Sequence, residues 1–537
     1  MKFTQVLKGA AVGTLAALLM SSAAMAVTLN LGNGSEPGSL DPHKASGDWE
    51  NRIVGELYEG LLAEDQKAEP IPGQAESWTI SDDGLVYTFK LRQDAKWSDG
   101  EPVTAQNFVD AFQRLFDPKT AADYAYLQYP IKNSSKIASG EITDLGQVGA
   151  KAIDDKTLEI TLEAPTPYFL QALTHYTAYP IRKDVIEKFG DQWTQPANIV
   201  GNGPYKLVEW VPGSYLRGVK SDTYYGKDSL KIDEVRWDNT EDLTAALSRY
   251  RAGELDILTD FPADQYAFLQ QNYPGQAHVA PFLGIYYYVM NQEKPPLDNV
   301  NIRKALSISV LRDVIGPDVL GTGELPAYGW VPPGAGNYEG TPYAPDWAEM
   351  PYEQRVEEAK KLMADAGYTP EKPLKLQLRY NTNENHQRIA VAIADMWKQI
   401  GVEVELFNAE TAVHYDALRA GDFNIGRAGW LMDYNDPSNT LDLLRTGTMQ
   451  DGVMNWGNNY GRFSNKEFDD LMNKASTELD LTKRAGYMHQ AEEIAMENFA
   501  AIPIYWYVSK NVVSPKISGF VDNAKDINRI RWMSKSE

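Results

Sequence analysis

The sequence LKLQLRY at residues 374–380 alternates apolar with polar side chains and begins the region that decides the fold. Such alternation is typical of a half-buried β-strand. Apolar positions with helical spacing follow from about Glu384 to Ile400, and Gly401 comes next, where a glycine commonly ends a helix. The region therefore opens with a predicted strand and a predicted amphipathic helix.

The same pattern continues downstream. Residues 402–407, VEVELF, predict a second strand, and residues 411–420 predict a second helix that Gly421 closes. Residues 423–430, FNIGRAGW, predict a third strand. A β-α-β-α-β run forms a parallel sheet with right-handed crossovers, because only that hand lets each helix pack back on the sheet. The sequence therefore indicates an α/β fold.

Polar side chains come directly after two of these strands. Residues 381–386 follow the first strand, and residues 431–433 follow the third. Ligands of open α/β sheets bind outside the carboxyl ends of the strands. We therefore expect His386 and Asp433 on one rim of the sheet.

A smaller α+β module is predicted nearer the amino terminus. Residues 85–92, LVYTFKLR, and 158–163, LEITLE, alternate as strands do, and residues 103–116 between them have helical spacing with Thr104 placed to cap the helix. The chain has 537 residues, which exceeds what one hydrophobic core usually fills. Two or three domains are expected.

Residues 1–26 have the pattern of a secretory signal peptide. Lys2 and Lys8 flank the start of an apolar stretch, and Ala-Met-Ala at 24–26 marks the expected cleavage site. The apolar stretch is shorter than the ~20 residues of a membrane-spanning helix. We expect a soluble mature chain.

The chain contains no cysteine. It therefore has no disulfide, no thiol nucleophile, no thiolate zinc site and no cysteine that could carry a lipid anchor. Export without a lipid anchor indicates the periplasm of a two-membrane bacterium, with release into the medium as the alternative.

The formal net charge is −23. An acidic surface repels nucleic acid and anionic membranes, so neither is expected as a partner. The acidity can serve solubility alone, or it can steer cationic ligands toward the protein. We expect a monomer.

Sequence motifs for catalysis are missing. The sequence holds no G-x-S-x-G elbow, no P-loop, no G-x-G-x-x-G and no H-E-x-x-H, and its six histidines have no metal-ligand spacing. We expect no metal, no cofactor and no enzymatic activity. A secreted hydrolase assembled from distant residues stays open as an alternative.

An ordered series of segments resembles the periplasmic oligopeptide-binding proteins of ABC peptide importers. The segments are NGSEPGSLDPHK (33–44), YEGLL (58–62), DAKWSDGEPVTAQNF (94–108), KAIDDKTLEITL (151–162), FGDQWTQPANIVGNGPYKL (189–207) and RAGWLMDYNDP (427–437). The resemblance implies a periplasmic solute-binding protein that captures short peptides, of two to five residues, and delivers them to an ABC transporter permease in the inner membrane.

The resemblance also implies a two-lobed fold with a hinge and an inserted α+β subdomain. We expect the boundaries at 27–50, 180–284 and 498–537 for the first lobe, 51–179 for the inserted subdomain and 285–497 for the second lobe. Closure of the hinge over the ligand is a known motion of such proteins.

By resemblance, Asp433 meets the amino terminus of the peptide and Glu36 lies at the mouth of the site. Gly429 and Leu431 match positions that offer main-chain partners to an extended ligand. Asp433 has an alternative role as a helix cap.

Arg427 and His386 match positions at the carboxyl end of the peptide, because a buried carboxylate needs a charged or strong donor. Tyr124, Tyr287 and Trp430 match aromatic residues that line the cleft. The alternatives are a structural ion pair for Arg427, a surface turn for His386 and core packing for the aromatic residues.

The chain departs from the family pattern at three positions. Thr411 stands where the family carries a tryptophan, and Leu320 and Leu418 replace a lysine and an arginine. Preferred peptide length and sequence, affinity and the cognate permease therefore stay open. Cell-wall peptide, dipeptide, a nickel complex or an oligosaccharide are alternative ligands, although a ligand with one cationic and one anionic end suits Asp433, Arg427 and His386 better than a neutral sugar.

Overall fold

A computed structural model describes residues 26–338, 340, 342–409, 411–450 and 453–536. The predicted signal peptide lies, apart from its last residue, outside the described residues. Within the described part of the chain, no helix combines the length and the apolar character that a membrane span requires.

The strands fall into one large sheet and several small ones. They are β1 (Thr28–Gly34), β2 (Leu62–Glu64), β3 (Pro70–Pro72), β4 (Ala75–Ile80), β5 (Val86–Leu91), β6 (Ala150–Asp154), β7 (Thr157–Thr161), β8 (Tyr205–Val211), β9 (Tyr215–Lys220), β10 (Glu234–Asn239), β11 (Ile257–Leu258), β12 (Ala277–Met290), β13 (Leu325–Pro326), β14 (Leu374–Asn381), β15 (Val402–Ala409), β16 (Ile425–Leu431), β17 (Thr448–Gln450), β18 (Val453–Asn455), β19 (Ile502–Val513), β20 (Ile517–Ser518) and β21 (Ser534–Lys535).

Helices cover the sheets. They are α1 (Asp48–Leu57), α2 (Ala105–Phe116), α3 (Ser134–Ala138), α4 (Phe169–Ala172), α5 (Lys183–Phe189), α6 (Leu243–Arg251), α7 (Tyr266–Asn272), α8 (Val300–Ile308), α9 (Tyr352–Asp365), α10 (Glu384–Lys398), α11 (Thr411–Ala420), α12 (Ser438–Leu441), α13 (Lys466–Thr477) and α14 (Leu481–Glu497).

The predicted β-α-β-α-β run is confirmed as β14, α10, β15, α11 and β16. β14 pairs in parallel with β15 and, for two residues, with β16. The Asn383 side chain caps α10 by accepting from the amides of Asn385 and His386. Gly401 and Gly421 follow the two helices with φ of 81° and 74°, a left-handed backbone that glycine adopts without steric cost.

One long antiparallel pair, β12 with β19, lies in the middle of the large sheet. The strand order is β15-β14-β16-β12-β19-β11-β1-β10-β9-β8. Residues 277–281 of β12 pair with 508–512 of β19, and residues 285–288 pair with 502–506, with a break in register between them. These two strands therefore join the side of the sheet that contains β14, β15 and β16 to the side that contains β1 and β8 to β11.

The predicted α+β module is confirmed as a separate antiparallel sheet, in the order β4-β5-β7-β6. Phe108 and Phe112 of α2 are buried in its core. The α2 helix begins after Thr104, whose amide donates to Asn107 Oδ1 at 2.9 Å. Between α2 and β6, α3 is a short helix of five residues.

We propose the division of the chain expected from the sequence. The first lobe comprises 27–50, 180–284 and 498–537, the inserted subdomain 51–179, and the second lobe 285–497. The break in register of β12 with β19 lies between residues 281 and 285, which supports a hinge at this boundary.

Buried ion pairs tie the subdomain to the carboxyl-terminal segment. Glu64 contacts Lys525 Nζ at 2.5 Å and Arg529 Nη2 at 3.3 Å. Burial alone would raise the pKa of Glu64, but the two cations outweigh it and hold the pKa below its usual value. Glu59 pairs with Arg531 in the same region. These residues are distant in sequence, so their pairing fixes the position of the subdomain.

Replacing Glu64 by alanine should lower the free energy of unfolding by about 3–5 kcal/mol, because Lys525 and Arg529 would be left buried without their carboxylate. Urea denaturation at pH 7 measures the loss. Glu76→Ala is the control, since Glu76 is an exposed residue of the same subdomain. Equal stability of the two variants would contradict a structural role for the Glu64 cluster.

Candidate ligand-binding cleft

A groove runs between the two lobes and the subdomain. It comprises cavities of about 490, 250 and 420 Å³, which we name the first-lobe, middle and subdomain cavities. Asp48, Trp49 and Phe282 line both the first-lobe cavity and the middle cavity. Asp433 lines both the middle cavity and the subdomain cavity. It therefore stands at the junction of two of the cavities.

Asp433 follows β16 and presents a carboxylate without a cationic partner. Its Oδ2 accepts hydrogen bonds from the Tyr126 hydroxyl at 3.2 Å and from Asn439 Nδ2 at 3.3 Å. Burial raises the pKa of Asp433 to about 6, although both hydrogen bonds act in the opposite direction. Among the described residues, no cation forms an ion pair with it. Asp433 is a half-buried anion that lacks a countercharge.

The alternative role of Asp433 as a helix cap is not the one observed. Helix α12 begins after Pro437, and the Ser438 amide donates to Asp436 Oδ1 at 3.0 Å. Asp436 also forms a bidentate ion pair with Arg484, and each of the two side chains is 1% exposed. This buried pair anchors the turn that carries Asp433.

Several ionisable groups face Asp433 from the neighbouring elements. In the two cavities that it lines they are Tyr124, Tyr126 and Tyr176 of the subdomain, Asp48 of the first lobe, Asp442 and Arg445 of the second lobe, and Glu64, His175, Lys525 and Arg529 at the far wall of the middle cavity. Arg445 pairs with Asp442, and Lys525 and Arg529 pair with Glu64. In the two cavities that Asp433 lines, these cations are therefore already paired with carboxylates.

One edge of β16 is only partly paired. β12 covers the other edge from Ile425 to Leu431. β14 pairs with β16 at Ile425 and Gly426 only. Among the described residues, no strand lies along this second edge beyond Gly426. His414 contacts the Arg427 carbonyl, and the main-chain groups beyond it are available to another extended chain.

The direction of these groups follows from two hydrogen bonds. Successive residues of a strand direct their main-chain groups to opposite edges. The Met432 amide donates to a carbonyl of β12, whereas the Arg427 carbonyl lies 2.8 Å from His414 Nε2 on the other side. Residues of odd number therefore face the open edge. This places the main chains of Gly429 and Leu431 there.

Arg427 is buried among neutral groups. Its guanidinium donates to Asn381 Oδ1 at 3.2 Å, to the Tyr415 hydroxyl at 3.1 Å and to the Tyr507 hydroxyl at 2.9 Å. Its Nε is buried and has no partner among the described residues. The alternative of a structural ion pair is therefore not observed. A Cβ on Gly429 would lie 2.9 Å from Arg427 Nη2 and 2.7 Å from the Tyr507 hydroxyl, so glycine leaves room for their contact.

His386 belongs to the same cluster. Its ring lies 5.4 Å from the Tyr286 ring, over which Arg427 also lies at 4.7 Å. Burial and the charge of Arg427 lower the pKa of His386 to about 3, so the imidazole is neutral. Its Nδ1 is buried and finds no partner in the described part of the chain. Arg427 and His386 form a cluster behind the groove and do not line its three cavities.

Besides Asp433, three predicted residues line the groove. Tyr124 lines the middle cavity, with its ring 5.7 Å from Tyr126 and 5.8 Å from His175. Leu431 lines the same cavity and is 44% exposed. Trp430 lines the subdomain cavity and donates from Nε1 to Asn439 Oδ1 at 2.7 Å.

The structure does not bring Glu36 to the groove. Its carboxylate accepts from Trp210 Nε1 at 2.8 Å and from the Gly213 amide, so the β8–β9 hairpin occupies both oxygens. Residues 46–49 of the first lobe line the middle cavity instead. The segment that precedes Glu36, residues 33–35, does line the first-lobe cavity.

Tyr287 does not reach the groove either. It is 2% exposed and packs edge-on against Trp330 at 4.6 Å. Tyr286 and Tyr288 point to the opposite face of β12 and lie in a different core. The expected cleft-lining role of Tyr287 is replaced by core packing.

Two of the three positions that depart from the family pattern, Leu320 and Leu418, lie away from the three cavities. Leu320 and Leu418 are buried in the cores of the second lobe. The side chain of Thr411 lies outside the described part of the structure.

Sequence reasoning missed several residues of the groove. Tyr126, Tyr168 and Asn439 line the subdomain cavity, and Trp49 lines the other two. The two tyrosines come from a subdomain distant in sequence from Asp433, so no local motif marks them. Asn439 lies six residues after Asp433, and a search for amide side chains near that turn would have found it.

Comparison with known proteins places the chain among relatives of similar length. The family model of bacterial extracellular solute-binding proteins, family 5 Middle, matches residues 69–452. The periplasmic oligopeptide-binding protein OppA of Escherichia coli K12 is 41% identical over 528 residues, which cover 95% of each chain.

Two solved structures are similar over the same extent. The unliganded open form of the periplasmic murein tripeptide-binding protein MppA has a TM-score of 0.83 at 38% identity and covers 95% of this chain and 98% of its own. Haemophilus influenzae OppA in complex with the peptide RPPGFSPFR has a TM-score of 0.76 at 36% identity, with coverage of 95% and 99%. The chain belongs to the family 5 extracellular solute-binding proteins and has their periplasmic-binding-protein fold.

Proposed function

We propose that this periplasmic protein captures short peptides in the groove and delivers them to an ABC transporter for uptake. The Escherichia coli relative is named an oligopeptide-binding protein, and the Haemophilus influenzae structure contains a peptide. The observation that carries the proposal is the open edge of β16, which ends beside an anion without a countercharge.

The open edge suits a peptide main chain. An extended ligand beside Gly429 and Leu431 would pair with their amide and carbonyl groups as an added strand. The pairing satisfies main-chain groups that would otherwise be buried without partners. Such recognition does not depend on the side chains of the ligand, which supports uptake of varied peptides.

Asp433 suits the amino terminus. Its Oδ2 is held by Tyr126 and Asn439, and a carboxylate offers about four lone-pair positions. The remaining positions can accept an ammonium group. An ammonium that closes into the groove loses its hydration, and the Asp433 carboxylate would replace it with a full countercharge.

Arg427 and His386 suit the carboxyl end. Four residue steps along β16 lead from Arg427 to Leu431, which is about 13 Å. An extended peptide of about four residues has this length, which lies within the expected range of two to five. The unpaired donors of the Arg427 cluster would meet the carboxylate directly or through a bridging water.

The hydrolase alternative is excluded, because the family is one of solute-binding proteins and not of enzymes. Cell-wall peptide remains a second candidate for the main cargo. The 38% identity to the murein peptide-binding protein MppA of Escherichia coli favours it. Native mass spectrometry of the protein purified from its own periplasm would separate the two, since a ladder of peptide masses indicates broad uptake and one cell-wall fragment indicates a dedicated receptor.

Asp433→Asn should weaken the binding of a tripeptide by about 3–5 kcal/mol, because the buried ammonium loses its only full countercharge. Calorimetric titration measures the change. Asp442→Asn is the matched control, since Asp442 lines the subdomain cavity but is already paired with Arg445. Equal affinity of the Asp433 variant and the wild type would refute the amino-terminal role.

Peptide affinity should depend on pH through Asp433. Its pKa in the free protein is about 6, so near pH 7 the carboxylate is ionised while the amino terminus of the peptide is still protonated, and affinity is full. Below pH 6 the carboxylate must lose a proton before it accepts the ammonium, and affinity should fall about tenfold for each pH unit. Asp433→Asn should remove this slope in the same titration, and a slope that survives in the variant would assign it to another group.

Arg427→Met should act on the carboxyl end alone. Amidating the carboxyl terminus of the peptide should weaken binding to the wild type about tenfold or more, and should cost much less in the variant. Arg379→Met is the control, because Arg379 is a buried arginine of the neighbouring strand β14 that lies outside the groove. Strictly additive losses would refute direct pairing of Arg427 with the carboxylate.

A further inference from the structure

The inserted subdomain meets the second lobe across the groove. The Tyr126 hydroxyl donates to Asp433 Oδ2 at 3.2 Å. The rings of Tyr168 and Tyr434 stack with centroids 4.5 Å apart and planes 9° apart. Both contacts are made by protein groups alone and lie at the wall of the subdomain cavity. The subdomain is therefore in direct contact with the binding carboxylate.

Tyr126 is suited to a lasting contact with Asp433. Burial and the charge of Asp433 raise its pKa above the usual value, so the hydroxyl keeps its proton and remains a donor. Hydrogen bonds to a charged acceptor are stronger than those between neutral groups. The contact therefore gains from the ionised state that would also bind an ammonium.

The same carboxylate can hold Tyr126 and a ligand together. Tyr126 and Asn439 both donate to Oδ2 and fix the plane of the carboxylate. Oδ1 then keeps its lone pairs for an ammonium group. Tyr126 lies on the subdomain, whereas Asp433 and Asn439 lie on the second lobe, so the orientation of the carboxylate depends on contact between the two bodies.

We propose that Tyr126 is a positioning residue of the groove, which holds the inserted subdomain against the second lobe and orients Asp433 for the amino end of the ligand. The stacked pair Tyr168 and Tyr434 sets the place at which the two bodies meet. That the ligand is a peptide rests on the proposed function, whereas the contact of Tyr126 with Asp433 between the two bodies does not.

A distance measurement tests the closing role of Tyr126, which is to hold the inserted subdomain against the second lobe. Because the chain has no cysteine, Ile153→Cys in the subdomain and Val391→Cys in the second lobe give one defined pair of spin labels at positions that are 49% and 52% exposed. Double electron–electron resonance on protein freed of ligand by unfolding and refolding should show a population with the two bodies in contact. Tyr126→Phe should lower the ratio of closed to open protein about fivefold or more.

Tyr129→Phe is the matched control. Its ring packs against Phe116 within the subdomain at 6.3 Å, and it does not line the groove. The control should keep the wild-type distance distribution. An unchanged distribution in Tyr126→Phe would overturn the closing role, whether or not the protein binds peptides.

The pH profile of tripeptide binding tests the positioning role. The hydrogen bond from Tyr126 favours the ionised carboxylate, so its loss should move the pH at which affinity falls to a higher value. Tyr129→Phe should leave that pH unchanged. An unshifted profile in Tyr126→Phe would overturn the effect on Asp433. Absence of peptide binding in the wild type would instead refute the proposed function and leave the distance measurement to decide the closing role.

Discussion

The crossing of β12 and β19 is the constraint on which the rest of the molecule depends. The two strands pair on both sides of a break in register between residues 281 and 285. On one side β19 continues into the sheet of the first lobe through β11, and on the other β12 pairs with β16. Under the proposed division, a change of angle at the break would move the two lobes while the pairing within each half of the large sheet stays intact. Phe282 lies at the break and lines two of the cavities, so the groove and the hinge share a residue.

Two side chains of opposite charge at the open strand edge lack an ion-pair partner in the described part of the chain. Asp433 lacks a cation, and Arg427 lacks a carboxylate, although both are largely removed from water. Leaving a charge partly buried without its partner is unfavourable. Some other buried carboxylates, such as Asp436 and Glu64, are instead held in ion pairs. In the described part of the chain, the open strand edge is thus flanked by an anion and a cation that form no ion pair within the protein.

Sequence alone predicted the parallel unit and the rim that carries Asp433, because strand alternation and terminal glycines are local signals. It did not predict which of the candidate side chains are buried in a core and which line the groove. The run Tyr286, Tyr287, Tyr288 has no polar contrast between the two faces of the strand, so the sequence did not indicate that Tyr287 packs in a core. The contacts of Glu36 with Trp210 and Gly213 were not predicted because these residues are far away in the chain. Contacts between the inserted subdomain and the second lobe, such as that of Tyr126 with Asp433, are not marked by any local sequence pattern.

The open edge of β16 is a site of potential aggregation, and the surrounding fold shields it. Unpaired strand edges invite other strands to add, which is a common route to aggregation between folded proteins. Here the edge lies inside a groove whose walls come from the first lobe and the inserted subdomain. Walls on both sides hinder the approach of a sheet from another molecule. The walls that would enclose a short ligand therefore also limit polymerisation of the protein through its own binding strand.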